Sequence, residues 1–96
     1  MNRETKKYTF RVHAVKRMFE RNIGKEELID VIEHGQILQE YPDDIPYPSQ
    51  LILGWSGKRP IHVVTALNKK EQEVIVITTY EPDTTIWERG FTRRKS

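Results

Sequence analysis

The hydrophobic period of this chain changes once, at Gly35, and that change limits its possible folds more than any single motif does. Before Gly35 the apolar residues recur at helical spacing: Ala14, Val15, Met18 and Phe19 fall on one arc, with His13, Lys16, Arg17, Glu20 and Arg21 on the other side. Asn22, Ile23 and Gly24 interrupt this helix. Residues 25 to 34 then resume the period with acids in the first turn, where the helix dipole favours them, and Gly35 reads as the C-terminal cap. Two helices in a short hairpin follow from this pattern.

After Gly35 the chain is rich in β-branched and aromatic residues. Residues 36 to 41, 50 to 55, 61 to 67 and 73 to 80 read as consecutive antiparallel strands. The segment from 42 to 48 is a loop, because three prolines in seven residues remove ladder donors. In the last strand Ile75, Ile77 and Thr79 alternate with Val74, Val76 and Thr78, so both faces are apolar and one is expected to be covered by the helices. The fold class expected is α+β, with two N-terminal helices packed on a four-stranded antiparallel sheet.

At 96 residues the chain fits one domain, with 1–8 and 92–96 as mobile ends. Hydrophobic residues at 36% can build a modest core. With no cysteine there is neither a disulfide framework nor a thiolate metal site, and His13, His34 and His62 show no ligand spacing, so no metal or cofactor is expected. The first residues are charged and no apolar run approaches the roughly 20 residues that span a bilayer, so the expected setting is the cytoplasm, without membrane contact. The net charge of +2 is unevenly spread. Residues 1 to 25 hold eight Lys/Arg against two acids, 26 to 54 hold seven acids and no Lys/Arg, and 55 to 96 hold eight Lys/Arg against five acids. If the two basic ends meet, they form a positive patch suited to phosphate-rich ligands.

Within that patch His13 and Arg17 are four residues apart, and Arg21 is one turn further along the same face. A histidine can carry a proton near neutral pH, and a guanidinium can hold two phosphate oxygens. On spacing alone, a solvated basic stripe is the simpler reading. His62 lies in an apolar strand, where a lone histidine is most often structural. A hairpin closing near residues 68 to 72 nevertheless brings it opposite Thr78 to Tyr80, and an even register places His62 and Tyr80 on one face. Tyr80 can orient or donate a proton to an oxygen, stack on a base, or serve as a half-buried sheet residue. Arg59, Arg93 and Arg94 could complete a phosphate site, and Tyr41, Tyr47, Trp55 and Trp87 offer stacking surfaces.

Taken in order, His13-Ala14-x-x-Arg17-Met18-x-x-Arg21-x-Ile23, Tyr47-Pro48-Ser49, Arg59-Pro60-x-His62-Val63-Val64 and Thr79-Tyr80-Glu81-Pro82, with Trp87 and Phe91, resemble the family catalogued as domain of unknown function 4258 over nearly the whole chain. The resemblance implies similarity to the barnase, EndoU, colicin and RelE group of metal-independent toxin ribonucleases. It also implies a place in a toxin-antitoxin pair with a small zinc-finger antitoxin as partner. Carried onto this chain, it implies RNA cleavage by attack of a 2′-hydroxyl on its neighbouring phosphate. His13 or His62 would be base or acid, Arg17 and Arg59 would hold phosphoryl oxygens, and Tyr80 would orient the leaving group or stack a base. Arg21, Arg93 and Arg94 would bind the RNA backbone. Asn22-Ile23-Gly24 stands where the family pattern suggests Gly-Ile-Ser, so Gly24 replaces a hydroxyl cap on the second helix. A non-catalytic module binding RNA or protein through the same basic surface is the alternative, and a subunit whose partner covers the patch is a third reading.

Overall fold

The computed structural model describes residues 6–95. Its elements run β1 (Lys7–Phe10), α1 (Val12–Glu20), α2 (Lys25–His34), β2 (Gln36–Tyr41), β3 (Ser49–Ser56), β4 (Arg59–Asn68) and β5 (Glu73–Tyr80). The strands form one sheet in the order β1-β5-β4-β3-β2. Neighbours from β2 through β5 are antiparallel and joined by short connections, as the turn residues between them require.

This corrects the expected four-stranded antiparallel sheet of the barnase and RelE kind: the sheet has five strands and is mixed, because β1 pairs in parallel with β5. The additional strand is Lys7-Tyr8-Thr9-Phe10, set in register against Glu73 to Val76. Lys7 and Tyr8, within the stretch 1–8 expected as a mobile end, belong to this strand, and residues 1–5 and 96 lie outside the described residues. A parallel partner more than sixty positions away leaves no hairpin signal beside the strand itself.

The core forms between the helices and one face of the sheet. Ala14, Ile23, Leu28 and Val31 pack with Ile52, Ile61, Val63 and Val76, and Phe10, Met18 and Ile32 lie against this cluster. Of the apolar arc assigned to α1, only Ala14 is buried and Met18 partly so; Val15 and Phe19 are 51% and 89% exposed. The helix meets the sheet along a narrower line than its apolar residues allow.

On the other helix, packing depends on an absent side chain. A Cβ at Gly54 would lie 2.5 Å from Val31 Cγ1, and one at Gly35 would lie 2.5 Å from the Val31 carbonyl and 2.6 Å from that of Leu53. Gly35 ends α2 with φ −80°, so it is a glycine for lack of space rather than for a left-handed turn. At the other end of α2, Gly24 is the N-cap, and its amide donates to Glu27 Oε1 at 2.9 Å. The carboxylate three residues on thereby makes one half of a capping box, the half that satisfies the N-cap amide, while glycine has no side chain to make the other.

Successive residues of a strand alternate between faces, so Leu53, His62 and Tyr80 point away from the helices. The C-terminal segment lies across this second face. It folds on itself through an isolated bridge between Trp87 and Arg94, with the Glu88 amide donating to the Arg93 carbonyl at 2.8 Å. Trp87 meets the His62 ring edge-on at 4.5 Å between centroids, and Phe91 meets Trp55 at 6.0 Å. Thus residues 92 to 95, placed at a mobile end by sequence, follow a segment that is docked on the sheet by its aromatic side chains.

Candidate functional site

β1 ends at Phe10, where the Arg11 amide donates to the Val76 carbonyl at 3.0 Å and the chain turns out of the sheet into α1. Beyond Val76, β5 has no strand partner on that side among the described residues. The gap is bordered instead by α1 on one flank and the C-terminal segment on the other, and a cavity of about 540 Å³ occupies it. From α1 come His13 and Arg17, and from its C-cap comes Arg21, all on one side of the helix at 100° per residue. From the end of β5 come Thr78, Tyr80 and Glu81. Trp87 and Arg94 of the C-terminal segment, with Tyr41 of β2, close the remaining side.

The cavity therefore gathers His13, Arg17, Arg21, Tyr80 and Arg94 from three distant parts of the sequence. The first helix and the basic C-terminal region do meet here. Arg17 also bonds Glu20 on its own helix at 3.1 Å, with both side chains close to half exposed, so solvent screens the pair and the guanidinium keeps donors for a ligand. Asp83 carries an opposite charge at the rim, but its carboxylate accepts the Thr85 amide and hydroxyl, contacts that hold its pKa below the ordinary value.

Three residues proposed from sequence stand elsewhere. Arg59 donates through Nη1 to the Arg21 carbonyl at 3.1 Å, and through Nη2 to the Asn22 carbonyl and to Glu27 Oε1 at 3.0 Å each. Its guanidinium closes the end of α1 and joins it to α2, a structural use that the sequence pattern did not disclose. Glu27 also accepts the Ser56 hydroxyl, and that bond is the largest of the contacts lowering its pKa, followed by the Gly24 amide. Arg93 pairs with Glu88 at 3.0 Å on the outer side of the C-terminal segment.

His62 is completely buried and lies behind the cavity rather than in its wall. It stands directly opposite Tyr80 in the β4–β5 ladder. Nε2 is 2.9 Å from the Phe91 carbonyl, and Nδ1 is 3.2 Å from the Tyr80 hydroxyl. A carbonyl only accepts, so Nε2 carries the hydrogen. Burial lowers the pKa of His62 below the ordinary 6.5 and keeps the ring neutral, so Nδ1 is an acceptor and Tyr80 donates to it. Burial likewise raises the Tyr80 phenol above 10.0, with Tyr41 adding to the rise and Arg94 opposing it. The Tyr80 hydroxyl is thus protonated, with its hydrogen directed at His62 Nδ1.

What the arrangement can do follows from these groups. Three guanidinium groups supply fixed positive charge and directional donors for phosphate oxygens. His13 is the one imidazole in the cavity wall and can carry a proton. Tyr41 and Trp87 offer ring faces or edges to a base. The sequence offered Tyr41 and Trp87 as stacking surfaces but gave Thr78 and Glu81 no part in a site, since their places in the lining arise from where β5 loses its partner.

Residues 10–81 match the family model described as Domain of unknown function (DUF4258). No curated protein and no solved structure matches the chain, and the similarity expected to barnase, EndoU, colicins and RelE finds no support in these comparisons.

Proposed function

The chain belongs to the DUF4258 family, and for this member we propose an endoribonuclease that works without a metal ion, cleaving RNA at the cavity between α1, the end of β5 and the C-terminal segment. The observation that carries the reading is the convergence of His13, Arg17, Arg21 and Arg94 on one cavity that also holds Tyr80 and two aromatic side chains. In this reading the arginines hold the phosphate and stabilise the charge that builds on its oxygens as the neighbouring 2′-hydroxyl attacks. His13 exchanges the proton at the leaving or attacking oxygen. A place in a toxin-antitoxin pair, a zinc-finger antitoxin as partner and a cytoplasmic setting belong to the same proposal, supported by the sequence resemblance alone. Among the described residues no helix is long and apolar enough to cross a membrane.

The test is incubation of the purified protein with RNA in EDTA, beside His13→Ala and Arg17→Ala. Cleavage by the wild type that is lost in both variants supports the proposal. Intact RNA under every ionic condition overturns it. A non-catalytic RNA-binding module is the second reading, favoured by one observation: His62 is sealed from the cavity, which leaves a single imidazole there where two-histidine acid–base chemistry needs two. Binding with a steep salt dependence and no cleavage would select that reading.

A further inference from the structure

Tyr80 contributes only lone pairs to the cavity. Its hydrogen is committed to His62 Nδ1, because His62 Nε2 is committed as a donor to the Phe91 carbonyl and the ring is enclosed by Leu53 and Tyr80 on neighbouring strands and by Trp87 and Phe91. None of these packed neighbours brings a charge to the ring, and Arg94 acts on Tyr80. In the same cavity His13, Arg17, Arg21 and Arg94 offer hydrogens, and Glu81 and Asp83 are the carboxylates of the lining. A ligand that satisfies both kinds of group presents an anion to the guanidinium groups and a hydrogen-bond donor to Tyr80. A phosphodiester supplies the first. In a nucleic acid backbone the only donor is the 2′-hydroxyl, which DNA lacks.

We propose that Tyr80, oriented by His62, accepts a hydrogen bond from a ribose 2′-hydroxyl and is the residue by which this site distinguishes RNA from DNA. The proposal rests on the nucleic-acid reading of the cavity and assigns Tyr80 a role opposite to proton donation. His62 is a positioning residue here: it fixes which way the phenol hydrogen points and touches no substrate. The Phe91 carbonyl fixes the tautomer of His62, so the C-terminal segment sets the polarity of a group on the sheet.

The experiment compares three short oligonucleotides of one sequence, with 2′-hydroxyl, 2′-hydrogen or 2′-fluoro sugars, by fluorescence anisotropy in the wild type and in His13→Ala, included to keep the RNA intact. The 2′-fluoro sugar keeps the ribose pucker but cannot donate. The ribo-oligonucleotide is expected to bind about three- to tenfold more tightly than the other two, the range of one neutral hydrogen bond, and Tyr80→Phe should bring it to their level. Equal binding of ribo and 2′-fluoro ligands overturns the inference and leaves the nucleic-acid reading standing, as does a gap that survives Tyr80→Phe. Failure of the wild type to bind any of the three overturns both. Nitrogen shifts of His62 provide a measurement that needs no variant: protonation at Nε2 with bare Nδ1 is expected, and the opposite tautomer overturns the assignment.

Discussion

Arg59 on β4 and Glu27 on α2 form an ion pair at 3.0 Å with little more than a quarter of each side chain exposed, while the same guanidinium donates to the carbonyls that end α1. One side chain thus links both helices to the sheet. Arg59→Ala leaves two backbone carbonyls and a carboxylate without their donor, and a loss of about 1–3 kcal/mol in unfolding free energy is expected by chemical denaturation. Arg59→Lys should recover only part of it, since an ammonium cannot reach three acceptors in fork geometry.

Gly54 and Val31 test the packing of α2 on β3. Gly54→Ala drives a methyl group into the valine, and destabilisation of about 1–3 kcal/mol is expected. Adding Val31→Ala to that variant should return stability relative to the sum of the two single changes, as a double-mutant cycle of denaturation midpoints would show. Additive effects would mean that the two side chains do not meet.

Acid should weaken the fold through His62. Its folded pKa lies below 6.5 because of burial, so the unfolded chain takes up a proton first as pH falls. The stabilising contribution is complete above 6.5 and is lost as pH drops from there through the folded value. Denaturation midpoints are expected to fall from pH 7 toward pH 5, and the His62 ring resonances should titrate below 6.5. A ring titrating at or above 6.5 contradicts the assigned burial. Glu27, also held below its ordinary value of 4.5, adds a second loss in the same direction at lower pH.

The arginines of the cavity should differ from those outside it. Arg17→Ala, Arg21→Ala and Arg94→Ala are each expected to weaken RNA binding and to lower the slope of log affinity against log salt by about 0.7 where one phosphate contact is lost. Arg93→Ala, on the outer side and paired with Glu88, should leave both quantities unchanged. A uniform response of all four would indicate a diffuse charge effect rather than a site.

Much of the framework was legible because its signals are local. The bounds of α2, β2 and β5 coincide with the segments read from sequence, and the alternation along 61 to 67 and 73 to 80 already allowed His62 to stand across from Tyr80. What was not legible is non-local. β1 has four residues, beside a charged run, and a partner at the far end of the chain. Val15 and Phe19 carry the periodicity of a buried face, yet α1 leans on the sheet through Ala14 and Met18. Arg59 and Arg94 look alike as basic residues, and only the positions of the α1 carbonyls and the C-terminal segment separate a helix clamp from a cavity residue.

The early end of β1 also bears on how copies of this chain behave in a crowded solution. A strand left without a neighbour is a template on which another chain can add, and repeated addition builds fibres. Here the last residues of β5 are flanked by a helix and a cationic wall, which no incoming β-strand can replace without displacing α1 or drawing the arginines from water. The feature that opens the cavity therefore also guards the last stretch of β5, and changes that loosen α1 should appear as aggregation before they appear as lost binding.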